Sequence, residues 1–223
     1  MAVLLNLETA TTNCSVSVAR EGNMLACKEH NSASYSHSEQ LHVFIKEVLE
    51  GASLSLNDLD AIAVSKGPGS YTGLRIGVSA AKGLCYALDI PLLATPTLYC
   101  LALQKKVETG IIIPVLDARR MEVYASVFDA TYREIQSTRA VIINEDSFLE
   151  YAEQGNVYLV GSGAAKCSEV LTHPNFNFDP SLIPSSKNMC QISYDKYKAN
   201  AFEDVAYFEP YYLKDFILPQ RKK

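Results

Sequence analysis

A glycine-rich loop between an apolar strand and a helix is the feature that most restricts the fold of this chain. Residues 66–73 read KGPGSYTG, with a buried strand predicted over 61–65 and a helix predicted over 74–88. A further short strand is predicted over 92–94. This order of strand, turn, helix and strand predicts the β-α-β crossover of an α/β fold, in which the two strands run parallel.

The surrounding sequence predicts two α/β halves. Alternating apolar residues in the first thirty positions predict a meander of three strands, and a helix follows. Ser36 and Glu39 have the spacing of a capping box at the start of this helix. A polar stretch near residue 109 predicts a boundary. We therefore expect an N-terminal half over 1–108, which contains the glycine-rich loop, and a C-terminal half over 109–223.

Composition and charge exclude several classes of protein. The 223 residues carry a formal net charge of −5, so the chain has no overall attraction for RNA phosphates and should contact RNA only through a partner. No apolar stretch approaches the roughly 18 residues of a membrane-spanning helix, and no basic signal-peptide start is present. Because the six cysteines are scattered without a CxxC pair, we expect reduced thiols in a cytoplasmic protein with no membrane contact.

The glycine-rich loop allows two interpretations. Its three glycines let another group approach the backbone closely, and the N–H groups at the start of the following helix attract anions. The glycine spacing matches neither the phosphate loop nor the dinucleotide fingerprint. The alternative is a strand-to-helix turn that Ser70 or Thr72 caps. Both interpretations remain open at this point.

Small residues follow two adjacent lines along the helix after the loop. The first stripe is Gly73, Gly77 and Ala81, and the second stripe is Ala80, Gly83 and Ala87. A glycine inside a helix costs about 0.5–1 kcal/mol relative to alanine, so a close contact should offset that cost. Either the first stripe packs against the chain's own sheet, or it meets a helix of a second subunit.

The sequence offers little for metal or nucleophilic catalysis. His37 and His42 are five residues apart, about 140° around a helix, so they cannot share a metal ion as an i, i+4 pair could. Neither HExxH nor G-x-S-x-G is present. Glu8 precedes three threonines. Its carboxylate could orient a phosphate or a metal-bound water, or it belongs to a turn whose side chains hydrogen-bond to their own backbone. Arg119 and Arg120 are predicted at a solvated hairpin tip, where an arginine pair could also meet an acidic partner.

Three segments together resemble the bacterial TsaB (YeaZ) family of tRNA threonylcarbamoyladenosine biosynthesis proteins. They are residues 4–11 (LLNLETAT), 37–41 (HSEQL) and 66–77 (KGPGSYTGLRIG), and Pro210 to Leu213 resembles the family's C-terminal Pro-x-Tyr pattern. The resemblance implies an actin/Hsp70/sugar-kinase-like (ASKHA) fold with two related α/β halves. Glu8 departs from the family pattern, because many relatives carry aspartate there.

The resemblance also implies a function. It implies a non-catalytic subunit needed to place threonylcarbamoyl on N6 of the adenosine next to the anticodon (t6A37), in tRNAs that read codons beginning with A. The implied partners are the paralogue TsaD, which holds the metal and catalyses the transfer, and the ATPase TsaE. The tRNA is then contacted indirectly, and the isolated chain forms a homodimer. No cofactor is expected on the chain alone, whereas ATP or ADP belongs to the complex.

Carried over to this sequence, the resemblance implies two sets of site residues. The implied partner interface is Leu41, Phe44, Ile45, Val48, Gly73, Arg75, Gly77 and Ala81. The candidate nucleotide contacts are Glu8, Thr9, Gly67, Gly69 and Ser70, and no metal ligand is assigned. The alternatives are a metallopeptidase-like hydrolase of the glycoprotease type and a small-molecule kinase on the same fold. The missing histidine pair argues against the first alternative, and the missing phosphate loop against the second.

Overall fold

Two five-stranded mixed sheets organise the chain, in a computed structural model that describes residues 1–32 and 37–214. The first sheet has the strand order β3-β2-β1-β4-β5, and the second has the order β10-β9-β6-β7-β8. Ser36, which was predicted to cap the first helix, lies outside the described residues.

The first sheet contains the predicted meander and the predicted crossover. Its strands are β1 (Val3–Glu8), β2 (Asn13–Arg20), β3 (Asn23–Asn31), β4 (Ala61–Gly67) and β5 (Leu92–Pro96). Strands β1, β2 and β3 pair antiparallel, whereas β4 pairs parallel with both β1 and β5. Two helices, α1 (His37–Gly51) and α2 (Tyr71–Leu88), pack on one side of this sheet. Helix α2 begins three residues earlier than predicted, because Ser70 caps it.

The second sheet repeats the topology of the first. Its strands are β6 (Ile111–Asp117), β7 (Glu122–Asp129), β8 (Glu134–Ile142), β9 (Val157–Val160) and β10 (Phe176–Asp179). The first three strands again pair antiparallel in sequence order, and the last two again run parallel to the first. This repetition confirms the expected ASKHA-like fold with two related α/β halves.

Four short helices connect or cover the sheets. They are α3 (Thr97–Ala102), α4 (Leu149–Ala152), α5 (Ala164–Ser168) and α6 (Cys190–Lys198). Helix α6 and the 3-10 turn before it (Ser186–Met189) return to the first sheet, where they contact β1 and β2. Residues 186–198 thus pack on the first sheet although they follow residue 109 in the sequence. The division expected at residue 109 stays a prediction.

Four strands of the first sheet, β1, β2, β4 and β5, are buried on both faces, whereas the edge strand β3 is exposed or half-buried. Leu5 and Leu7 of β1 face α1 and α2, whereas Leu4 faces the side of α6. This arrangement explains why β1 reads as a continuous apolar run rather than an alternating one. None of the helices in the described ranges combines the length and the apolar character that crossing a bilayer requires.

Candidate functional site

The glycine-rich loop is filled by the chain's own backbone. A Cβ atom placed on Gly69 or on Gly73 would overlap the carbonyl oxygens of Ala10 and Thr9, respectively. The Ser70 N–H donates a hydrogen bond to the Ala10 oxygen at 2.7 Å, and the Ser70 hydroxyl accepts one from the Gly73 N–H at 3.3 Å. The glycines therefore leave room for the backbone of the segment that follows β1. The loop is a strand-to-helix turn that Ser70 caps.

Three of the five candidate nucleotide contacts are covered by the same packing. Glu8 and Thr9 have 0% exposed surface, and the Thr9 hydroxyl donates to the Gly73 carbonyl oxygen at 2.8 Å. Gly67 lies under the backbone of Tyr211, whose oxygen would stand 2.8 Å from a Cβ at that position. Glu8, Thr9 and Gly67 are thus covered by the chain's own backbone, whereas Gly69 and Ser70 are half-exposed. The nucleotide contact expected at these five residues stays a prediction.

Glu8 lies in a row of buried polar side chains. The row crosses four adjacent strands and consists of Ser15, Glu8, Ser65 and Thr95. Oxygen Oε1 of Glu8 accepts hydrogen bonds from the Ala10 N–H at 2.6 Å and from the Ser65 hydroxyl at 2.8 Å. Burial raises the pKa of the Glu8 carboxyl from 4.5 to about 7, although these hydrogen bonds act in the opposite direction. Glu8 is therefore partly protonated at neutral pH.

The raised pKa of Glu8 predicts a specific pH dependence of stability. The folded chain binds more protons than the unfolded chain between pH 4.5 and about 7, so stability is full below this window and falls as pH rises through it. The loss attributable to Glu8 amounts to about 3 kcal/mol by pH 8. Glu8→Gln cannot ionise and should remove this slope. Denaturant unfolding at several pH values from 4 to 8 measures the difference, and identical slopes for both proteins would contradict the assignment.

The first small-residue stripe faces the chain's own first sheet. A Cβ on Gly77 would overlap the hydroxyl oxygen of Thr9, and Ala81 has 0% exposed surface. The ring of His37 packs beside Gly73, and its Nε2 atom lies 2.7 Å from the Thr11 carbonyl oxygen. Of the two alternatives for this stripe, packing against the chain itself is therefore the observed one.

The apolar face of α1 is covered in the same way. Its residues are at most 7% exposed and belong to the core beneath α1 and α2. Seven of the eight residues expected at the partner interface are thus inside the chain: Leu41, Phe44, Ile45, Val48, Gly73, Gly77 and Ala81. Their place at a partner interface stays a prediction, although within the isolated chain these side chains are covered. Arg75 is exposed, and its role at an interface remains a prediction.

Two residues of the second stripe, Gly83 and Ala87, lie on an exposed face of α2, whereas Ala80 is partly buried against the core. We define the outer face of α2 by its exposed residues Thr72, Arg75, Ser79, Gly83, Tyr86 and Ala87. At 100° per residue these positions fall within about 120° of the helix circumference. No atom lies within 4 Å of a Cβ placed on Gly83, and the Tyr86 side chain is 86% exposed. Sequence reasoning noted the second stripe but did not assign it to the interface, and it gave no indication of Tyr86.

The segment after Phe202 borders this outer face. The Lys82 ammonium donates to the carbonyl oxygens of Ala206 and Phe208 at 3.0 Å each. The Tyr211 N–H donates to the Lys66 oxygen at 2.7 Å, and the Tyr212 ring lies 4.8 Å from the ring of Tyr71. The Pro-x-Tyr segment therefore packs beside the glycine-rich loop at the start of α2.

Cysteine and potential metal-ligating side chains show no reactive arrangement in the described ranges. Among residues 1–32 and 37–214, no three or more His, Cys, Asp or Glu side chains converge in a metal-binding geometry. All six cysteines are free, and five of them are buried. Burial raises the pKa of the Cys85 thiol to about 11 and that of Cys100 to about 12, so both stay protonated and are poor nucleophiles at neutral pH.

Comparisons with known proteins agree with one another. The family model described as TsaD, tRNA N6-adenosine threonylcarbamoyltransferase, matches residues 30–215. The tRNA threonylcarbamoyladenosine biosynthesis protein TsaB of Haemophilus influenzae is 28% identical, over 95% of this chain and 93% of its own length. The structure of YeaZ from Pseudomonas aeruginosa is similar with a TM-score of 0.80, at 25% identity over 96% of this chain and 100% of that one. A further P. aeruginosa structure, described as similar to peptidase YEAZ, has a TM-score of 0.85 at 26% identity, over 96% of this chain and 100% of that one.

Proposed function

The chain belongs to the TsaD family, within which it is a TsaB (YeaZ) protein of tRNA threonylcarbamoyladenosine biosynthesis, and on that basis we propose that it acts as a non-catalytic subunit that binds TsaD. The observation that carries this proposal is that the outer face of α2 is exposed and contains Gly83. This face lies on the side of α2 opposite to the first small-residue stripe. The supporting arguments concern the cost of Gly83, the composition of the face and the lack of catalytic groups.

Gly83 lowers the stability of α2, and no contact within the described chain compensates for this loss. A glycine within a helix is destabilising by about 0.5–1 kcal/mol relative to alanine. Gly77 offsets this cost through its close contact with Thr9, whereas no atom of the described chain lies near the missing side chain of Gly83. A helix of another subunit could approach closely at Gly83, because the neighbouring Ser79 and Ala87 are also small.

The composition of the outer face suits a protein partner. Tyrosine and arginine are enriched in interface cores and among the residues that contribute most to binding. Tyr86 projects from the face, and the Arg75 guanidinium lies over the Tyr71 ring, 5.5 Å from its centroid. The face has no carboxylate among its six residues, so a helix can dock there without burying an unpaired negative charge.

The described groups do not support catalysis of the transfer by this chain. Glu8 is buried, the glycine-rich loop is occupied by residues 9 and 10, and no metal-ligating cluster is present in the described ranges. We therefore assign the transfer of threonylcarbamoyl to TsaD, which this chain supports by binding. The kinase alternative would need an open phosphate cradle, and the hydrolase alternative would need metal ligands, so neither is favoured.

The outer face of α2 also accounts for the expected homodimer, whereas the remaining partners bind elsewhere. In the absence of TsaD, the outer face pairs with a second copy of the chain, so the homodimer and the TsaD complex exclude each other. TsaE and its ATP or ADP join the assembly at other surfaces, and the tRNA is held by the assembly as a whole. The site of action is the cytoplasm, where tRNA is modified.

Reconstitution tests the proposed role. The chain is incubated with threonylcarbamoyl-adenylate and tRNA alone, or together with TsaD, TsaE and ATP, and t6A is measured by mass spectrometry of digested tRNA. We expect no product from the chain alone and at least a tenfold higher yield when it is added to the other two proteins. A product yield that does not depend on this chain would contradict the proposal, as would transfer by the chain alone.

A further inference from the structure

The hairpin tip between β6 and β7 carries two adjacent arginines in an unfavourable backbone conformation. Arg119 has φ +70° and Arg120 has φ +50°, a region that favours glycine, and both side chains are exposed. The Arg119 N–H donates to the Asp117 carboxylate at 2.6 Å, and the Glu122 N–H donates to the Arg119 oxygen at 3.2 Å. Other exposed residues such as Glu21 share a positive φ, so what distinguishes this tip is its pair of adjacent arginines.

The carboxylates at the base of the tip are already paired with lysines. Lys166 lies 2.6 Å from a carboxylate oxygen of Asp117, and Lys214 pairs with Glu122. Among the described residues, no ion pair engages the guanidinium groups of Arg119 or Arg120. The tip is therefore a positively charged surface on a chain whose formal net charge is −5.

The C-terminal segment connects the tip to the proposed partner interface. Tyr212 packs on Tyr71 at the start of α2, and Lys214 reaches Glu122 at the start of β7. These two contacts lie two residues apart along the chain, which is at most about 7 Å of backbone. A partner on the outer face of α2 would thus be linked to the arginine tip through this segment.

We propose that Arg119 and Arg120 bind backbone phosphates of the tRNA substrate within the assembled complex, an inference that rests on the proposed function. Each guanidinium can donate two parallel hydrogen bonds to one phosphate, so two adjacent arginines supply donors for two phosphates of a nucleic acid strand. Such contacts fix orientation without reading sequence. The formal net charge of −5 gives the chain no overall attraction for RNA, so contact depends on local positive groups such as this tip.

Replacing both arginines by glycine separates their function from the fold. In the complex with TsaD and TsaE, Arg119→Gly/Arg120→Gly should weaken tRNA binding at least tenfold near 100 mM salt, measured by fluorescence anisotropy. The slope of log affinity against log salt should become shallower by about 1.5, because two phosphate contacts are lost. The melting temperature of the isolated variant should rise by a few degrees, since glycine relieves the strain.

Two control variants test charge and strain separately. Arg119→Lys/Arg120→Lys keeps the positive charge but loses the forked donors, so the salt slope should stay near that of the wild type while affinity falls only a few-fold. Glu21→Gly relieves a comparable φ of +50° in the exposed turn between β2 and β3, and should raise the melting temperature without weakening tRNA binding.

The outcomes distinguish this inference from the proposed function. Unchanged tRNA affinity and salt slope in the glycine variant, with an active wild-type complex, would overturn the inference alone. Loss of TsaD or TsaE binding in the absence of tRNA would also overturn it and would assign the arginines to an acidic protein surface. A wild-type chain that neither binds TsaD nor promotes transfer would overturn both.

Discussion

Gly77→Ala is expected to lower the free energy of unfolding by about 2 kcal/mol, whereas Gly83→Ala should raise it by about 0.5–1 kcal/mol. The added methyl group at position 77 overlaps the hydroxyl oxygen of Thr9. At position 83 it meets no atom of the chain and only improves helix propensity. Urea unfolding of the two variants beside the wild type measures both changes.

A double substitution identifies the contact responsible. Thr9→Ala removes the hydroxyl that the new methyl group would overlap, so it should recover part of the loss caused by Gly77→Ala. The cost of Gly77→Ala should therefore be smaller in the Thr9→Ala background than in the wild type. Equal costs in both backgrounds, or a stabilising effect of Gly77→Ala alone, would contradict the packing of the first stripe against residue 9.

The sequence predicted the glycine-rich loop, the crossover and all five strands of the first sheet. These features depend on local signals: the apolar run of β1, the alternation in β2 and the serine that caps α2. Strand β10 was not predicted, because its alternation covers only four residues between Pro174 and Pro180 and is too short to distinguish it from a loop. Its backbone hydrogen bonds come from pairing with the parallel neighbour β9, which is a distant contact.

The face of α2 that packs on the sheet could not be predicted from the sequence pattern. Two stripes of small residues lie side by side on this helix, and each is compatible with close packing. Which stripe faces the sheet depends on the position of Thr9, which sits 64 residues before Gly73 and bonds to its carbonyl oxygen. The burial of Glu8 could not be predicted for the same reason, since Ser65 reaches its carboxylate only once β1 and β4 pair.

Gly83→Glu is expected to weaken binding to TsaD at least a hundredfold while the isolated chain stays folded. The new carboxylate would stand at the centre of the outer face, where a close helix contact leaves no space for it and no partner for its charge. Such a loss corresponds to about 2.7 kcal/mol of binding free energy. Isothermal titration calorimetry with TsaD measures the affinity, and thermal melting monitors the fold.

Gly51→Glu provides the matched control for this variant. Gly51 is also an exposed glycine, at the end of α1, and a Cβ there meets only the Ala26 side chain at 3.9 Å. It adds the same charge outside the outer face of α2, so TsaD binding should remain within about twofold of the wild type, below 0.5 kcal/mol. Equal loss in both variants would indicate an unspecific effect of charge and would contradict the assigned interface.

Transfer of threonylcarbamoyl by TsaD and TsaE, measured with wild-type chain, with Gly83→Glu or with no added chain, tests the central claim most directly. Labelled threonine incorporated into tRNA reports the product. We predict high incorporation with the wild type, and incorporation with Gly83→Glu that is as low as without the chain. Wild-type levels of product with Gly83→Glu, from a variant that melts at the wild-type temperature, would contradict a role for the outer face of α2.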